Sequence, residues 1–367
     1  EVLPALNLAI CWKELYIIII ILSAGNFLNR IFRDNTPKLV LNNKFSYFSF
    51  FLALALALAL ALSLALVLVC AAAAAVAAAA KKNRINNQIN PLFASYLAGL
   101  IEGGGSIIVP ISERSPKGKL NYPSIQIVFD SRDLPLALIL QSKINCGSIY
   151  KKKGVNAYIF TINNMEGLIF ITNILNGYMR TPKIISLYKL IDWLNNKFDI
   201  NIEKKAKDFS NIESNSWLAG FIDADGHFSI RTTDVTKYPK IECKFELSQR
   251  QNDHNNENNY EFLNLIGKFL ITSVKEIRMD KRKPEYRIRT TSLKGNLRLR
   301  NYLDKYSVFS SKYCNYLNWR KVLTYVENKS HTQPESIKRI IEIKSKMNNR
   351  SIESNWDHLN KMYNLYK

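Results

Sequence analysis

Histidine and cysteine are scarce in this chain, and neither residue occurs in a metal-binding pattern. The 367 residues include four His and five Cys, and no two cysteines form a Cys-x-x-Cys pair. This scatter excludes a disulfide framework and a zinc site built from paired thiolates, and it predicts free thiols in a reducing compartment. His254 lies in the segment NDHNNENN, which is typical of a polar loop.

Acidic residues are also in deficit. The chain has 51 Lys and Arg against 30 Asp and Glu, which gives a formal net charge of +21. All but five of the basic residues and all but three of the acidic ones lie from Lys81 onward. Such an excess predicts a polyanionic partner. Nucleic acid is the usual one, and the alternative is a basic protein that its charge keeps soluble or holds at an anionic membrane.

Charge is absent altogether from residues 45–80. This run consists of Leu-Ala repeats followed by an alanine tract, with Lys44 and Lys81 on either side. It exceeds the roughly 20 apolar residues that a membrane-spanning helix requires. A transmembrane helix is the first interpretation, and a low-complexity translation product is the second. The apolar leader, residues 1–80, contains no catalytic constellation, so the functional residues are expected after Lys81.

The rest of the chain contains an internal repeat. YLAGLIEGGGSI at residues 96–107 matches WLAGFIDADGHF at residues 217–228, and YPSIQIVF matches YPKIECKFELS. The last two segments alternate apolar and polar residues, as in a strand with one buried face. Each half then continues in the order α-β-β-α-β-β-α. Two copies predict an α+β protein with two pseudo-symmetric subdomains, residues 90–197 and 211–328, a linker at 198–210 and a helical tail at 329–367.

The repeated motif predicts a close pair of helices. Ala98-Gly99 and Ala219-Gly220 are small enough to let two helix backbones approach each other, which would place the two helix ends side by side. Carboxylates at both ends would repel each other unless a cation lay between them, and hard cations such as Mg²⁺ prefer oxygen ligands. Asp225 meets this description in the second motif, and its counterpart in the first is Gly104.

The motifs LAGLIEGGG and LAGFIDADG resemble the signature helices of the single-chain LAGLIDADG homing endonucleases and maturases. The resemblance extends from residue 90 to about residue 328. It implies a saddle-shaped protein that brings two antiparallel sheets into the major groove of double-stranded DNA. It also implies that an acid at the eighth position of each motif binds Mg²⁺ or another divalent metal over the scissile phosphates. Asp225 occupies that position in the second motif, but Gly104 occupies it in the first.

Glu102 is the remaining acid of the first motif and the second candidate metal ligand. It occupies the sixth position, which matches Asp223. Two residues along a helix rotate a side chain by roughly 200°, so Glu102 is expected to point away from the eighth-position direction. The alternative role for Glu102 and Asp223 is at helix termini or in the contact between subdomains. The loss of an acid at Gly104 therefore bears directly on cleavage.

The candidate nucleic-acid-binding residues lie on predicted strands and in basic turns. The strand candidates are Ser229, Arg231, Thr233, Arg287 and Arg289, which would project from the polar face of a sheet. The turn candidates are Lys151, Lys152, Lys281 and Arg282, for which a solvated charge run is the alternative. The resemblance further implies a catalytic lysine near the metals. Lys153 and Lys283 are the first choice, and Lys183 and Lys312, in the matching TPK and SSK segments, are the second.

Two functions remain open at this point. The first is an intron-encoded, Mg²⁺-dependent, site-specific DNA endonuclease of mitochondria, and the second is an RNA maturase that assists splicing of its own group I intron. A nicking or inactive relic is a third possibility. The missing acid favours the maturase, whereas the intact second motif favours the nuclease. Because one chain carries both halves, it is expected to act as a monomer. The expected location of the basic domain is the mitochondrial matrix.

The resemblance implies that the leader continues the reading frame of a preceding exon of a mitochondrial membrane protein, and the start at Glu1 rather than Met fits a longer upstream reading frame. A true membrane anchor on the nuclease, through residues 45–80, is the alternative.

Overall fold

A computed structural model describes residues 88–233, 240–348 and 355–367, together with parts of a helix between residues 55 and 70. The chain divides into two compact units, Glu1–Asn86 and Asn87–Lys367. The transmembrane prediction for residues 45–80 falls largely outside the described residues. Among those that are described, no helix is long and apolar enough to cross a bilayer.

The second unit begins with a helix whose start is well specified by the sequence. The side chain of Asn90 accepts a hydrogen bond of 3.0 Å from the backbone N–H of Leu92, and Pro91 occupies the first turn, where a missing N–H costs nothing. The first subdomain comprises α1 (Pro91–Gly104), β1 (Gly105–Ile108), β2 (Ser124–Asp130), α2 (Leu134–Ile144), β3 (Ser148–Lys151), β4 (Ala157–Ile162), α3 (Met165–Leu175) and α4 (Ile184–Phe198).

The second subdomain repeats this order. It comprises α5 (Trp217–Asp225), β5 (Gly226–Thr232), β6 (Ile241–Arg250), α6 (Tyr260–Phe269), β7 (Val274–Ile277), β8 (Glu285–Thr290), α7 (Leu293–Lys305) and α8 (Lys312–Glu327). A further helix, α9 (Pro334–Ser345), follows in the tail and buries Ile340.

The prediction of one closing helix in each half is wrong, because each half closes with two helices. In the first half the break follows Asn176, where Gly177 adopts a φ of +95°, and Pro182 precedes the next helix. In the second half the break lies between Lys305 and Lys312. Gly177 favours the break because the left-handed region is unfavourable for residues with a side chain.

Each subdomain contains a four-stranded antiparallel sheet, in the orders β1-β2-β4-β3 and β5-β6-β8-β7. One face of each sheet packs on helices, and the apolar residues of β2 and β6 are buried there: Ile125, Ile127, Phe129, Cys243, Phe245 and Leu247. The intervening residues lie on the opposite face. The prediction of sheets covered on one side only is therefore confirmed.

Helices α1 and α5 pack directly against each other between the two sheets. A Cβ atom added at Gly99 would lie 2.0 Å from the carbonyl oxygen of Trp217, and one added at Gly220 would lie 2.0 Å from that of Tyr96. No side chain fits at that separation. The predicted close approach of the two motif helices is thus present, and it brings the C-terminal ends of α1 and α5 together.

Two further segments hold the subdomains together. In the linker, Asp208 Oδ2 accepts hydrogen bonds from the Arg180 guanidinium of the first subdomain at 2.7 Å and from Asn215 Nδ2 of the second at 2.9 Å. Near the C-terminus, Tyr366 forms a bridge with Ile89, and the ring of Tyr363 packs edge-on against those of Tyr96 and Phe309. The C-terminal residues therefore tie the beginning of α1 to the second subdomain.

Candidate metal and nucleic-acid site

Asp225 lies at the C-terminal end of α5 in a mostly buried, basic environment. Its Oδ2 accepts a hydrogen bond from Gln249 Nε2, which comes from near the end of β6. Burial raises the pKa of Asp225, and the charges of Lys312 and Lys183 and the bond from Gln249 oppose that rise. The second motif therefore ends in an oriented carboxylate whose negative charge has two cationic neighbours.

Gly104, the counterpart of Asp225, is not required by the backbone or by close packing. A Cβ atom added there would lie 3.3 Å from Ala224 Cβ and 4.0 Å from the carbonyl oxygen of Val128. At the neighbouring Gly103 the same atom would lie 2.4 Å from Ala224 Cβ. The fold thus demands glycine at residue 103 because the helices touch there, whereas residue 104 could carry a side chain after a shift of a few tenths of an ångström.

The first half also lacks the amide that holds the carboxylate of the second half. Gly105 pairs with Ile127 on β2, and Gly226 pairs with Leu247 on β6. Two residues onward along each strand, Phe129 of β2 is therefore the equivalent of Gln249 of β6. Phe129 is buried in the apolar core. Both polar partners of the second site, carboxylate and amide, are therefore replaced in the first.

The space beside Gly104 belongs to a cavity of about 310 Å³, which Asp130, Asp133 and Lys312 also line. Asp130 pairs with Arg132 at 2.9 Å, and Asp133 accepts a hydrogen bond of 2.7 Å from the backbone N–H of Ser311. Within the described residues, no group of three or more His, Cys, Asp and Glu could hold a metal ion.

The residues present fit a divalent metal in one half only. Mg²⁺ keeps several waters and is often bound by only one or two carboxylates together with phosphate oxygens of the substrate. Asp225 fits the role of that carboxylate. At the equivalent place in the first half, Gly104 offers no oxygen ligand from a side chain.

Glu102, the second candidate metal ligand, is engaged inside the protein, which disfavours that role. Its carboxylate accepts hydrogen bonds from the backbone N–H groups of Arg180 and Thr181 at 3.0 and 2.6 Å, from Thr181 Oγ1 at 2.7 Å and from Trp217 Nε1 at 2.6 Å. Both oxygens are thus satisfied inside the protein. Burial raises the pKa of Glu102, although these hydrogen bonds oppose the rise.

Asp223 makes the same set of contacts in the second half. It accepts from Tyr96 Oη at 2.7 Å, from the backbone N–H groups of Phe309 and Ser310 at 2.6 and 3.0 Å, and from Ser310 Oγ at 2.5 Å. Each sixth-position acid therefore binds an aromatic residue of the other motif helix. Each also orders the segment before the last long helix of its own half, and this contact accounts for the break between the closing helices.

The two lysines nearest the motif ends are Lys183 and Lys312. Lys183 Nζ donates to the carbonyl oxygens of Ile101, Glu102 and Gly105 at 3.0, 2.6 and 2.7 Å. Lys312 Nζ donates to those of Ile222 and Ala224 at 3.2 and 2.7 Å. Burial lowers the pKa of both ammonium groups.

Lys153 and Lys283, the first choice from sequence, lie instead in exposed turns after β3 and β7. The structure does not bring them to the motif ends. The matching TPK and SSK segments carried the signal for the two lysines that contact the motif ends. For Gln249 the signal was a break in the alternation, because this polar residue follows Phe245 and Leu247 in the buried register of β6.

The candidate DNA-binding side chains of the second half share one sheet face. Ser229 and Arg231 on β5 lie on the same face as Arg287 and Arg289 on β8, and Thr233 follows β5 directly. Glu246 of β6 forms an ion pair with Arg289. The other candidates extend beyond this face: Lys151 ends β3, and Lys152, Lys281 and Arg282 lie in exposed turns.

Comparison with known proteins agrees with the fold and with both motifs. The family described as LAGLIDADG endonuclease matches residues 97–194 and 218–323. The intron-encoded DNA endonuclease aI3 of Saccharomyces cerevisiae is 31% identical over 301 residues, which cover 73% of this chain and 72% of the relative. The intron-encoded RNA maturase bI4 of the same yeast is 33% identical over 138 residues, which cover 37% of this chain and 19% of the maturase.

Solved structures show the same fold. The LAGLIDADG homing endonuclease I-GzeII, in complex with its DNA target, superposes with a TM-score of 0.55 at 21% sequence identity, and the match covers 72% of this chain and all of that one. The two motif helices, the two four-stranded sheets and the matched sequence ranges lead to one conclusion. The chain belongs to the LAGLIDADG endonuclease family.

Proposed function

We propose that the protein is a site-specific DNA endonuclease encoded by a mitochondrial intron, with one of its two cleavage half-sites degenerate. One observation carries the proposal. Asp225 and Gln249 form a polar pair at the end of α5, whereas the equivalent Gly104 and Phe129 supply neither a carboxylate nor an amide. We therefore expect cleavage of one DNA strand to be retained and cleavage of the other to be impaired.

In this proposal Asp225 holds a divalent metal, Mg²⁺ first, whose coordination is completed by water and phosphate oxygens. The bound ion would supply an acidified water and stabilise negative charge on the phosphate. Side chains of the protein would position the motif ends and the DNA. Lys183 and Lys312 fix the ends of α1 and α5 and bring positive charge to the reacting phosphates, and the polar sheet faces hold the DNA. Because one chain contains both sheets, we expect a monomer in the mitochondrial matrix.

The test is plasmid cleavage by the full chain, kept in mild detergent because residues 45–80 carry no charge. A supercoiled plasmid that contains the intron insertion site is incubated with Mg²⁺, and nicked and linear products are separated on a gel. The native chain should give nicked circles. Gly104→Asp should increase the linear product, and Gly104→Asn is the matched control with the same size and no charge. Asp225→Asn should remove the nicks.

Double-strand cleavage by the native chain would contradict the assignment of Gly104 as a defect. A carboxylate of the cavity beside Gly104 would then have to replace the missing acid, and Asp130→Asn and Asp133→Asn would identify which one does. If no variant cuts or nicks although each binds the site, the nuclease proposal fails and the maturase becomes the better candidate.

The maturase is the second candidate function because the degenerate first half removes cleavage but leaves the basic scaffold intact. The similarity to the RNA maturase bI4 favours it as well. An RNA chaperone needs no metal-bound carboxylate. If this function holds, the chain should accelerate splicing of its parent group I intron in vitro. The Asp225→Asn variant should then accelerate splicing as much as the native chain does.

A further inference from the structure

The exposed faces of the two sheets differ sharply in chemistry, although the sheets have the same strand order. On the first sheet, adjacent strands place Ser106, Gln126 and Thr161 in one row and Val128, Ile159 and Tyr150 in the next. Along the described strands, no charged side chain lies on this face before Asp130, at the end of β2. This face is therefore neutral and partly apolar.

Three of its apolar side chains lie open to solvent, one on the central strand β2 and two on the edge strands β1 and β3. Ile108 is 44% exposed, Val128 is 49% exposed and Tyr150 is 47% exposed. Because this sheet face is proposed to lie against DNA, its exposed apolar side chains are expected to meet apolar groups of the DNA. In a DNA major groove the matching apolar group is the C5 methyl of thymine, and Gln126 can bind the N6 and N7 edge of adenine.

The equivalent face of the second sheet is densely charged. Arg231 stands opposite Glu242, and Glu246 stands opposite Arg289. Lys244 pairs with Glu242 at 3.3 Å, and Arg289 pairs with Glu246. Arg287 lies two residues before Arg289 on the same face of β8. Its neighbours on the adjacent strands are Ser248 and Lys275, and neither is a carboxylate.

The two glutamates are the informative residues of this face. Glu242 and Glu246 keep acceptor capacity beyond their ion pairs with Lys244 and Arg289, because a carboxylate has about four acceptor sites. In the major groove the amino group of cytosine is the donor that glutamate accepts, and the paired guanine presents O6 and N7 to arginine. Alternating Glu and Arg on neighbouring strands therefore match a run of G·C pairs.

We infer that the two sheets read half-sites of different base composition. The first sheet takes an A·T-rich half-site through thymine methyls and adenine edges, and the second takes a half-site with G·C pairs through guanine and cytosine edges. This inference rests on the proposed DNA recognition and specifies its substrate. It does not depend on whether the bound DNA is cut.

The first experiment is selection of DNA from a library with both half-sites randomised, by the full chain with Ca²⁺ in place of Mg²⁺. The expected pool has one A·T-rich half and one half with G·C pairs at defined positions. Arg287→Ala should relax base preference in the G·C half alone, by about five- to 150-fold at one position. Lys281→Ala, from an exposed turn, is the control and should weaken all sequences alike.

The second experiment removes only the thymine methyls. Replacing thymine by deoxyuridine in the A·T-rich half should weaken binding by about fourfold for each methyl contacted, and the same change in the other half should have no effect. Selected halves of equal composition, or no response to deoxyuridine, would overturn the inference while leaving sequence-specific binding in place. A pool with no sequence preference would instead overturn the proposed function together with it.

Discussion

Gly103 and Gly104 are neighbours in the sequence, yet the fold constrains only one of them. A Cβ atom at residue 103 would lie 2.4 Å from Ala224 Cβ, and one at residue 104 would lie 3.3 Å away. We expect Gly103→Ala to lower the free energy of unfolding by about 1 to 3 kcal/mol through overpacking. Gly104→Ala should change it by less than about 1 kcal/mol, with a gain from helix propensity. Urea denaturation of both variants checks this, and equal losses would contradict it.

Glu102 is predicted to stabilise the fold without acting in cleavage. Glu102→Gln removes the charge that accepts hydrogen bonds from Arg180, Thr181 and Trp217, and it places an amide NH₂ among donors. The free energy of unfolding should fall by about 2 to 3 kcal/mol. Glu113, which is exposed and forms only a 3.5 Å ion pair with Lys197, provides the control. Glu113→Gln should cost less than about 0.5 kcal/mol.

If Glu102→Gln were as stable as the native chain but bound Mg²⁺ less tightly, the structural role would be wrong. Calorimetric metal titration alongside the denaturation curves distinguishes the two outcomes.

At the scale of elements, the sequence predicted the repeat but not the division of its last helix. Period two in β2 and β6 and the small residues of α1 and α5 are local signals, and both were interpreted correctly. The break before Lys183 depends on Glu102, which is 79 residues away from Thr181, its hydrogen-bond partner. No local pattern contains that information. The same limit applies to Gln249, whose role depends on the position of Asp225.

The ion pair between Arg180 and Asp208 holds the linker, and its contribution to the stability of the fold depends on pH. Burial tends to raise the pKa of Asp208, but hydrogen bonds from Ser210 and the charge of Arg180 outweigh it and lower the pKa overall. An acid with a lowered pKa in the folded state contributes stability above its unfolded pKa of about 3.9, and that contribution is lost as the pH falls through the folded value.

Asp208→Asn should therefore be less stable than the native chain at pH 7, by about 1 kcal/mol after allowance for solvent screening. The difference should shrink as the pH falls below about 4. Thermal unfolding at a series of pH values measures it. A difference that stays constant down to pH 2.5 would mean that the charge of Asp208 contributes nothing.

For the whole molecule, the net charge of +21 predicts binding that depends steeply on salt. With six to ten phosphate contacts, the affinity for DNA should fall by about 10³- to 10⁵-fold between 50 and 200 mM salt. Fluorescence anisotropy with a labelled target duplex gives the slope. Each turn lysine that contacts a phosphate should reduce the slope by about 0.9 when replaced by alanine, as in Lys281→Ala. A flat salt response would exclude an electrostatic interface.

The reciprocal contacts of the sixth-position acids have an evolutionary consequence. Glu102 takes its aromatic donor from α5, and Asp223 takes its own from α1, so neither half can satisfy its buried acid alone. On the proposed function, loss of an acid at residue 104 would affect cleavage and leave the fold intact, whereas a mutation at residue 102 would destabilise the contact between the halves. An intron whose protein no longer needs to cut can therefore lose the eighth-position acid by drift, while selection for a folded product still retains the helix that carried it.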